Sequence, residues 1–276
     1  MPRALKKGIP HVTLWIYVIV VLYPFVFVLF SSLKESNQAI VADPWGFPQH
    51  FRWSNYVDTW IKGKISIFFF NSLYLAFFAA VTGVIIAAMM AFAITRMRYK
   101  SISGFLYQFI LIGMLIPGNV LFIAQYIMLS KIGILNTHWA LYLPYTAGAV
   151  PISVLLIAAF MKSIPSELEE AAVVDGLSAQ GMFVKIILPI TIPALVTVFI
   201  VNFLGNWNEY LLANFFLSKE NLRTLPTGMV GFRDKFQTNY AEVCAGIVYS
   251  VLPVMIIYGF LQEKIIEGLT AGSVKG

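Results

Sequence analysis

Glu167, Glu169, Glu170 and Asp175 fall within one short stretch, Pro165–Gly176. Adjacent carboxylates can hold a metal ion or work as an acid–base pair, but both chemistries need partners. The three His (His11, His50, His138) lie far apart and show no metal-ligand spacing. No H-E-x-x-H or G-x-S-x-G stretch occurs. A membrane metalloprotease of the E-E-x-x-x-R kind would carry Arg where this chain has Val174. A second polar set is Asn202, Asn206 and Glu209, spaced four and three apart with Gly205 between them. On a helix that spacing makes a polar stripe along one face. The stripe either lines a path for a solute or hydrogen-bonds to neighbouring helices. Amides with one carboxylate beside Phe203, Trp207 and Tyr210 suit a neutral sugar, by hydrogen bonding and stacking. Asn119 and Gln125 are further candidates for such a path, whereas Met89, Met90, Met97 and Met114 read as packing. The single Cys, Cys244, forms no internal disulfide. No catalytic, metal or cofactor-binding residue is assigned, and the chain reads as non-enzymatic.

These residues are carried by a chain that is 59% hydrophobic and only 12% charged. A soluble domain carries about 25% charged residues, so lipid is the expected solvent. The net charge of +6 is spread in short clusters between apolar runs, without a basic stripe, which argues against nucleic acid. Runs of about 20 uncharged apolar residues can cross a bilayer only as helices, which satisfy their own backbone. Six stretches qualify: residues 11–32, 69–95, 104–129, 139–161, 186–208 and 243–262. The expectation is an all-α membrane protein of six spans in a single domain, 1–276, the first span retained rather than cleaved as a signal peptide.

Orientation follows from Lys and Arg near span ends. Arg3, Lys6 and Lys7 precede the first span; Arg96, Arg98 and Lys100 fill the short loop after the second; Lys264 and Lys275 follow the last. The intervening short loop, 130–138, has only Lys131. Both termini, and the acidic stretch, are therefore expected on the cytoplasmic side, with the long loops 33–68 and 215–242 outside. Trp45, Phe47, Phe51, Trp53, Tyr56 and Trp60 in the first long loop suit the membrane interface.

The acidic stretch predicts a short cytoplasmic helix. Pro165 blocks extension of the fourth span, Ser166 and Glu169 have capping-box spacing, and Gly176 suits a stop. Leu168, Ala171, Ala172 and Asp175 share one face. A helix of about ten residues is too short to span and marginal alone. It either joins two spans or presents a docking surface. A second short helix is expected over about 178–187. The sequence also contains no G-x-x-x-x-G-K-[ST] stretch, so nucleotide energy would have to come from a separate subunit.

Glu170-Ala171-Ala172, three residues, Gly176, nine residues, then Ile186-x-Leu188-Pro189 resembles the EAA motif of ABC-importer permeases, with every fixed position and spacing met. The resemblance spans nearly the whole chain. Phe70-Asn71-Ser72, Ala91-Phe92-Ala93-Ile94-Thr95-Arg96 and Gly133-Ile134-Leu135-Asn136-Thr137 are similar to other family features. Trp207-Asn208-Glu209 and the tail from Gly268 to Gly276 resemble the carbohydrate-uptake branch, the tail in particular the smaller permease of maltose-type importers. The resemblance implies a type I ABC importer permease fold in a prokaryotic cell membrane. It implies a second permease, two ATPase subunits that use ATP and Mg, an extracellular solute-binding protein and a carbohydrate substrate. Residues 165–176 would be the coupling helix, with Glu167, Glu170, Ala171, Ala172, Asp175 and Gly176 at the ATPase. The substrate path would draw on Asn119, Gln125, Asn202, Asn206, Trp207 and Glu209. Other readings remain open: a permease for another solute such as glycerol phosphate, a self-sufficient secondary transporter, or the metalloprotease above.

Overall fold

A computed structural model describes the backbone of residues 3–96, 100–235 and 239–271, and side chains within 10–96, 101–230 and 239–263. Arg98, Lys275 and the end of the tail lie outside these residues. So do the side chains of Arg3, Lys6, Lys7, Met97, Lys100, Arg233, Lys235 and Lys264. The described chain is helical, with no strand among the described residues. Its helices are α1 (Arg3–Ser32), α2 (Asn37–Ala42), α3 (Ser54–Ile61), α4 (Ile65–Arg96), α5 (Lys100–Leu115), α6 (Phe122–Lys131) and α7 (Trp139–Ser163). They continue as α8 (Glu167–Val174), α9 (Ala179–Met182), α10 (Leu188–Trp207), α11 (Leu211–Phe216), α12 (Leu225–Lys235) and α13 (Tyr240–Ala271).

Among the described residues five helical stretches are long and apolar enough to span a bilayer: Pro10–Ser32, Ile65–Arg96, Trp139–Ser163, Ala179–Trp207 and Tyr240–Glu263. The third expected span, 104–129, is not one straight helix. It is a pair, Ser101–Leu115 and Gly118–Lys131, bent by 83°. Pro117 explains the break: it lacks an N–H, restricts Ile116 before it, and adopts φ −59°, ψ 128°, outside the helical region. The second short helix expected over 178–187 is instead continuous with the fifth span, because α9 passes through a π-helical turn, Phe183–Ile187, into α10. A π turn shifts the hydrogen-bond register just before Pro189, which cannot donate to the α ladder.

The chain gathers into two compact units, and their boundaries fall inside α4, α12 and α13. The first comprises Met1–Phe69 and Thr227–Pro253. Here the aromatic loop packs on helices: Trp45 stacks on Tyr23 of α1 at 3.8 Å, and Tyr56 and Trp60 meet Tyr249 of α13. Asn55, buried at the start of α3, donates to the carbonyls of Ser32 and Lys34 at 2.9 Å each and so satisfies the end of α1.

The second unit, Phe70–Pro226 and Val254–Gly276, carries both candidate sites. One core cluster joins Val84, Ala87, Ala88, Ala91 and Phe92 of α4 to Val154, Ile157, Ala158 and Met161 of α7, with Ile187 and Val198. A second cluster groups Leu75, Ala79, Leu129, Leu141, Tyr145, Ala213 and Phe216. Asn71 and Ser72 pin a later loop: Asn71 Nδ2 donates to the carbonyls of Asn221 and Arg223, and Ser72 Oγ accepts from the Leu225 amide.

Candidate functional site

The short helix α8 is cut off from α7 by Pro165, which holds Ile164 extended at ψ 127°. Its far end closes as a Schellman turn. The Gly176 amide donates to the Val173 carbonyl and the Leu177 amide to the Ala172 carbonyl, with Gly176 at φ +76°. That left-handed conformation is the physical reason for glycine at 176. The capping box does not form. Ser166 sits in the helical region and its side chain caps nothing. Glu169, its expected partner, turns inward and pairs with the guanidinium of Arg96 at the end of α4.

Two faces result. Inward lie Glu169 and Ala172, the latter 1% exposed. Ala172 is therefore not part of an exposed docking face; the methyl is spent on packing within its own chain. Outward lie Glu167, Glu170, Ala171, Asp175 and Gly176, together with Val173 and Val174, the latter 86% exposed. The exposed face thus combines carboxylates with apolar surface on a helix of eight residues.

In the sequence Arg96 was legible as a topology-setting charge and as the end of the Ala91–Arg96 stretch, but not as a partner of Glu169. Its Nη2 donates to the carbonyls of Met161 and Ile164 (the latter at 3.0 Å), at the C-terminal end of α7, and Nη1 faces the Glu169 carboxylate. A cation suits a helix C-terminus and an acid suits a helix first turn, so both dipoles favour this arrangement.

The polar stripe on α10 is only partly realised. Asn202 is buried and donates from Nδ2 to Ser153 Oγ of α7 at 2.9 Å. Asn202 and Asn206 line a cavity of about 260 Å³ between α7 and α10, with Pro144, Tyr145, Gly148, Ala149, Ile152, Val201 and Gly205. Asn206 Nδ2 is buried there with no hydrogen-bond partner, as is Thr146 Oγ1 on the neighbouring turn of α7. Glu209 leaves the stripe because α10 ends at Trp207. Its carboxylate accepts from Tyr145 Oη at 2.7 Å and from the amides of Leu212 at 2.6 Å and Ala213 at 3.1 Å. It therefore caps α11 and ties it to α7.

Trp207, 2% exposed and stacked on Phe203, is core rather than cavity wall. Asn119 sits on the exposed 3₁₀ turn after Pro117, and Gln125 lies on α6. Neither lines the cavity. Tyr145, which lines it, and Ser153, which holds Asn202, gave no signal, since isolated hydroxyls in an apolar run read as packing. Among the described residues no group of three or more His, Cys, Asp or Glu is placed to hold a metal ion.

The model of binding-protein-dependent transport system inner membrane components matches residues 83–267, which include α8 and the cavity. The chain is 36% identical over 96% of its length to the probable ABC transporter permease protein YurM of Bacillus subtilis (strain 168), covering 87% of that protein. It is 31% identical to the sulfoquinovosyl glycerol transport system permease protein SmoH of Agrobacterium fabrum, over 92% of this chain and 89% of that one. It is 30% identical to the melibiose/raffinose/stachyose import permease protein MelC of Bacillus subtilis (strain 168), over 92% and 91%. A chain of the crystal structure of a bacterial ABC transporter that imports the acidic polysaccharide alginate shares the fold, with TM-score 0.80 and 22% identity. That match covers 95% of this chain and 98% of the other. This protein belongs to the binding-protein-dependent transport system inner membrane components, and is a multi-pass ABC transporter permease.

Proposed function

We propose that the chain is a single permease domain, 1–276, that carries a carbohydrate through a prokaryotic cell membrane, with both termini and α8 on the cytoplasmic side. A second permease, two ATPase subunits that use ATP and Mg, and an extracellular solute-binding protein complete the importer. The observation that carries the coupling role is the outward face of α8. A helix too short to be stable alone is held by its own chain on one side and leaves Glu167, Glu170, Ala171 and Val174 open on the other. Carboxylates ringing a small apolar patch suit a groove with cationic rims on an ATPase. ATP-driven closure of that pair would move α8, and the permease pair would switch access by rigid-body rocking.

Carbohydrate is supported by the relatives named for sugar or glycoside import. It is supported also by a cavity lined by two amides, a phenol and apolar or small residues, with no charged side chain among them. An anionic solute such as glycerol phosphate would need a cation in that path. The test is uptake and ATP hydrolysis by the reconstituted complex. Glu170→Ala and Gly176→Val are expected to abolish stimulation of ATPase activity by the solute-loaded binding protein, with insertion of the permease intact. Normal uptake in both variants would sink the docking role.

A further inference from the structure

Arg96 joins three elements of the second unit at one guanidinium: the end of α4, the end of α7 and the first turn of α8. The site is mostly closed, with the Arg96 side chain 11% exposed and that of Glu169 19% exposed. A charge in that position is costly unless paired, and here it is matched by one carboxylate and two carbonyls. The backbone on either side of α8 supplies no comparable tie: an extended Ile164–Pro165 link lies before it and the Gly176 turn after it. Ala172 adds one small methyl to the contact. A rigid guanidinium fork can face a carboxylate and two carbonyls at once, whereas an ammonium keeps the charge but not that geometry.

We propose that Arg96 and Glu169 form a positioning clamp that makes α8 move as one body with the ends of α4 and α7. Force applied to the outward face of α8 then reaches the spans through this ion pair rather than being lost in rocking of a short helix. The inference rests on the coupling role of α8 and assigns work within it. Glu170 meets the partner, and Glu169, its neighbour on the opposite face, transmits. Neither Arg96 nor Glu169 touches the partner or the solute.

The test uses the complete reconstituted importer with Glu169→Gln and, separately, Arg96→Lys, each compared at equal amounts of assembled complex. The readouts are the ratio of stimulated to unstimulated ATP hydrolysis and the binding-protein concentration that gives half stimulation. The ratio is expected to fall about fivefold or more, with half stimulation at an unchanged concentration. A staple that only stabilises the fold would lower the yield of complex and leave the ratio of what assembles untouched. Wild-type ratios in both variants overturn the clamp. Should Glu169→Gln not assemble, Glu169→Asp retains the charge with a shorter reach. A ratio below wild type is again expected, and an unchanged ratio overturns the proposal. Glu170→Ala and Gly176→Val run alongside separate the two failures. If they uncouple while the clamp variants do not, only the clamp falls. If they too remain coupled, the coupling role of α8 falls with it.

Discussion

The polar groups beside α8 and those between α7 and α10 belong to the same unit and are used in opposite ways. Beside α8 the opposite charges are paired: the Arg96 fork faces Glu169 and two carbonyls, with only Arg96 Nε and one Glu169 oxygen outside hydrogen-bond geometry, and Gly176 closes the turn. In the cavity Asn202 is paired with Ser153, but Asn206 Nδ2 and the nearby Thr146 Oγ1 are buried with no partner. A matched polar cluster rigidifies, whereas an unmatched buried donor costs free energy unless water or a ligand accepts its hydrogen bond. The first arrangement suits a handle and the second a path. Glu209 falls on the matched side of this division, since both its oxygens already accept hydrogen bonds, from Tyr145, Leu212 and Ala213.

Removing matched groups should therefore cost stability, and at the Arg96–Glu169 clamp coupling as well, whereas removing unmatched ones should cost uptake of the solute without costing stability. Arg96→Ala strands a largely buried carboxylate and two helix-end carbonyls, and should destabilise the permease by about 3 kcal/mol, read as lost yield of the assembled complex. Glu209→Ala removes a cap and an inter-helix hydrogen bond. It should lower the Tm in detergent, equivalent to about 2 kcal/mol, while leaving the sugar preference of uptake unchanged. A changed preference with an unchanged Tm would return Glu209 to the path.

Asn206→Leu should do the reverse. The Tm should stay close to wild type, while the KM for uptake rises about tenfold through loss of one hydrogen bond to the solute. Unaltered uptake would make the stripe a packing feature. The smallest effect concerns His138, just before α7, where burial pushes the imidazole below its ordinary value against an opposing hydrogen bond to the Leu222 carbonyl. The fold thus favours neutral His138. Its contribution is present above the ordinary value of about 6.5 and is lost as pH falls through the depressed folded value. Tm measured between neutral and mildly acidic pH should decline less in His138→Asn than in the parent.

Much of this architecture is written in local sequence. Long apolar runs mark the spans, Pro165 stops α7, and Gly176 stops α8 in the left-handed turn that its position suggests. Gly133 does the same after α6, at φ +74°. The bend at Pro117 was missed, because the continuous apolar composition of 104–129 masked it. What local pattern misses is pairing across the chain. Arg96 looks like one of several basic residues at a span end, and nothing near it names Glu169. The same pairing explains why Ser166 and Glu169 do not form the capping box that their spacing suggests. Glu209 was placed on the stripe by assuming that the helix continued, yet α10 ends at Trp207, and a stripe argument is only as long as its helix.

The central claim, that the outward face of α8 meets an ATPase subunit, is most directly tested by site-specific cross-linking in the assembled importer. Replacing the single native Cys with Cys244→Ala leaves a clean background for one introduced thiol. Val174→Cys, 86% exposed on α8, should cross-link to the ATPase subunit, while Phe105→Cys, 66% exposed on α5, should not. A transport-competent complex in which Val174→Cys gives no such cross-link would contradict the account.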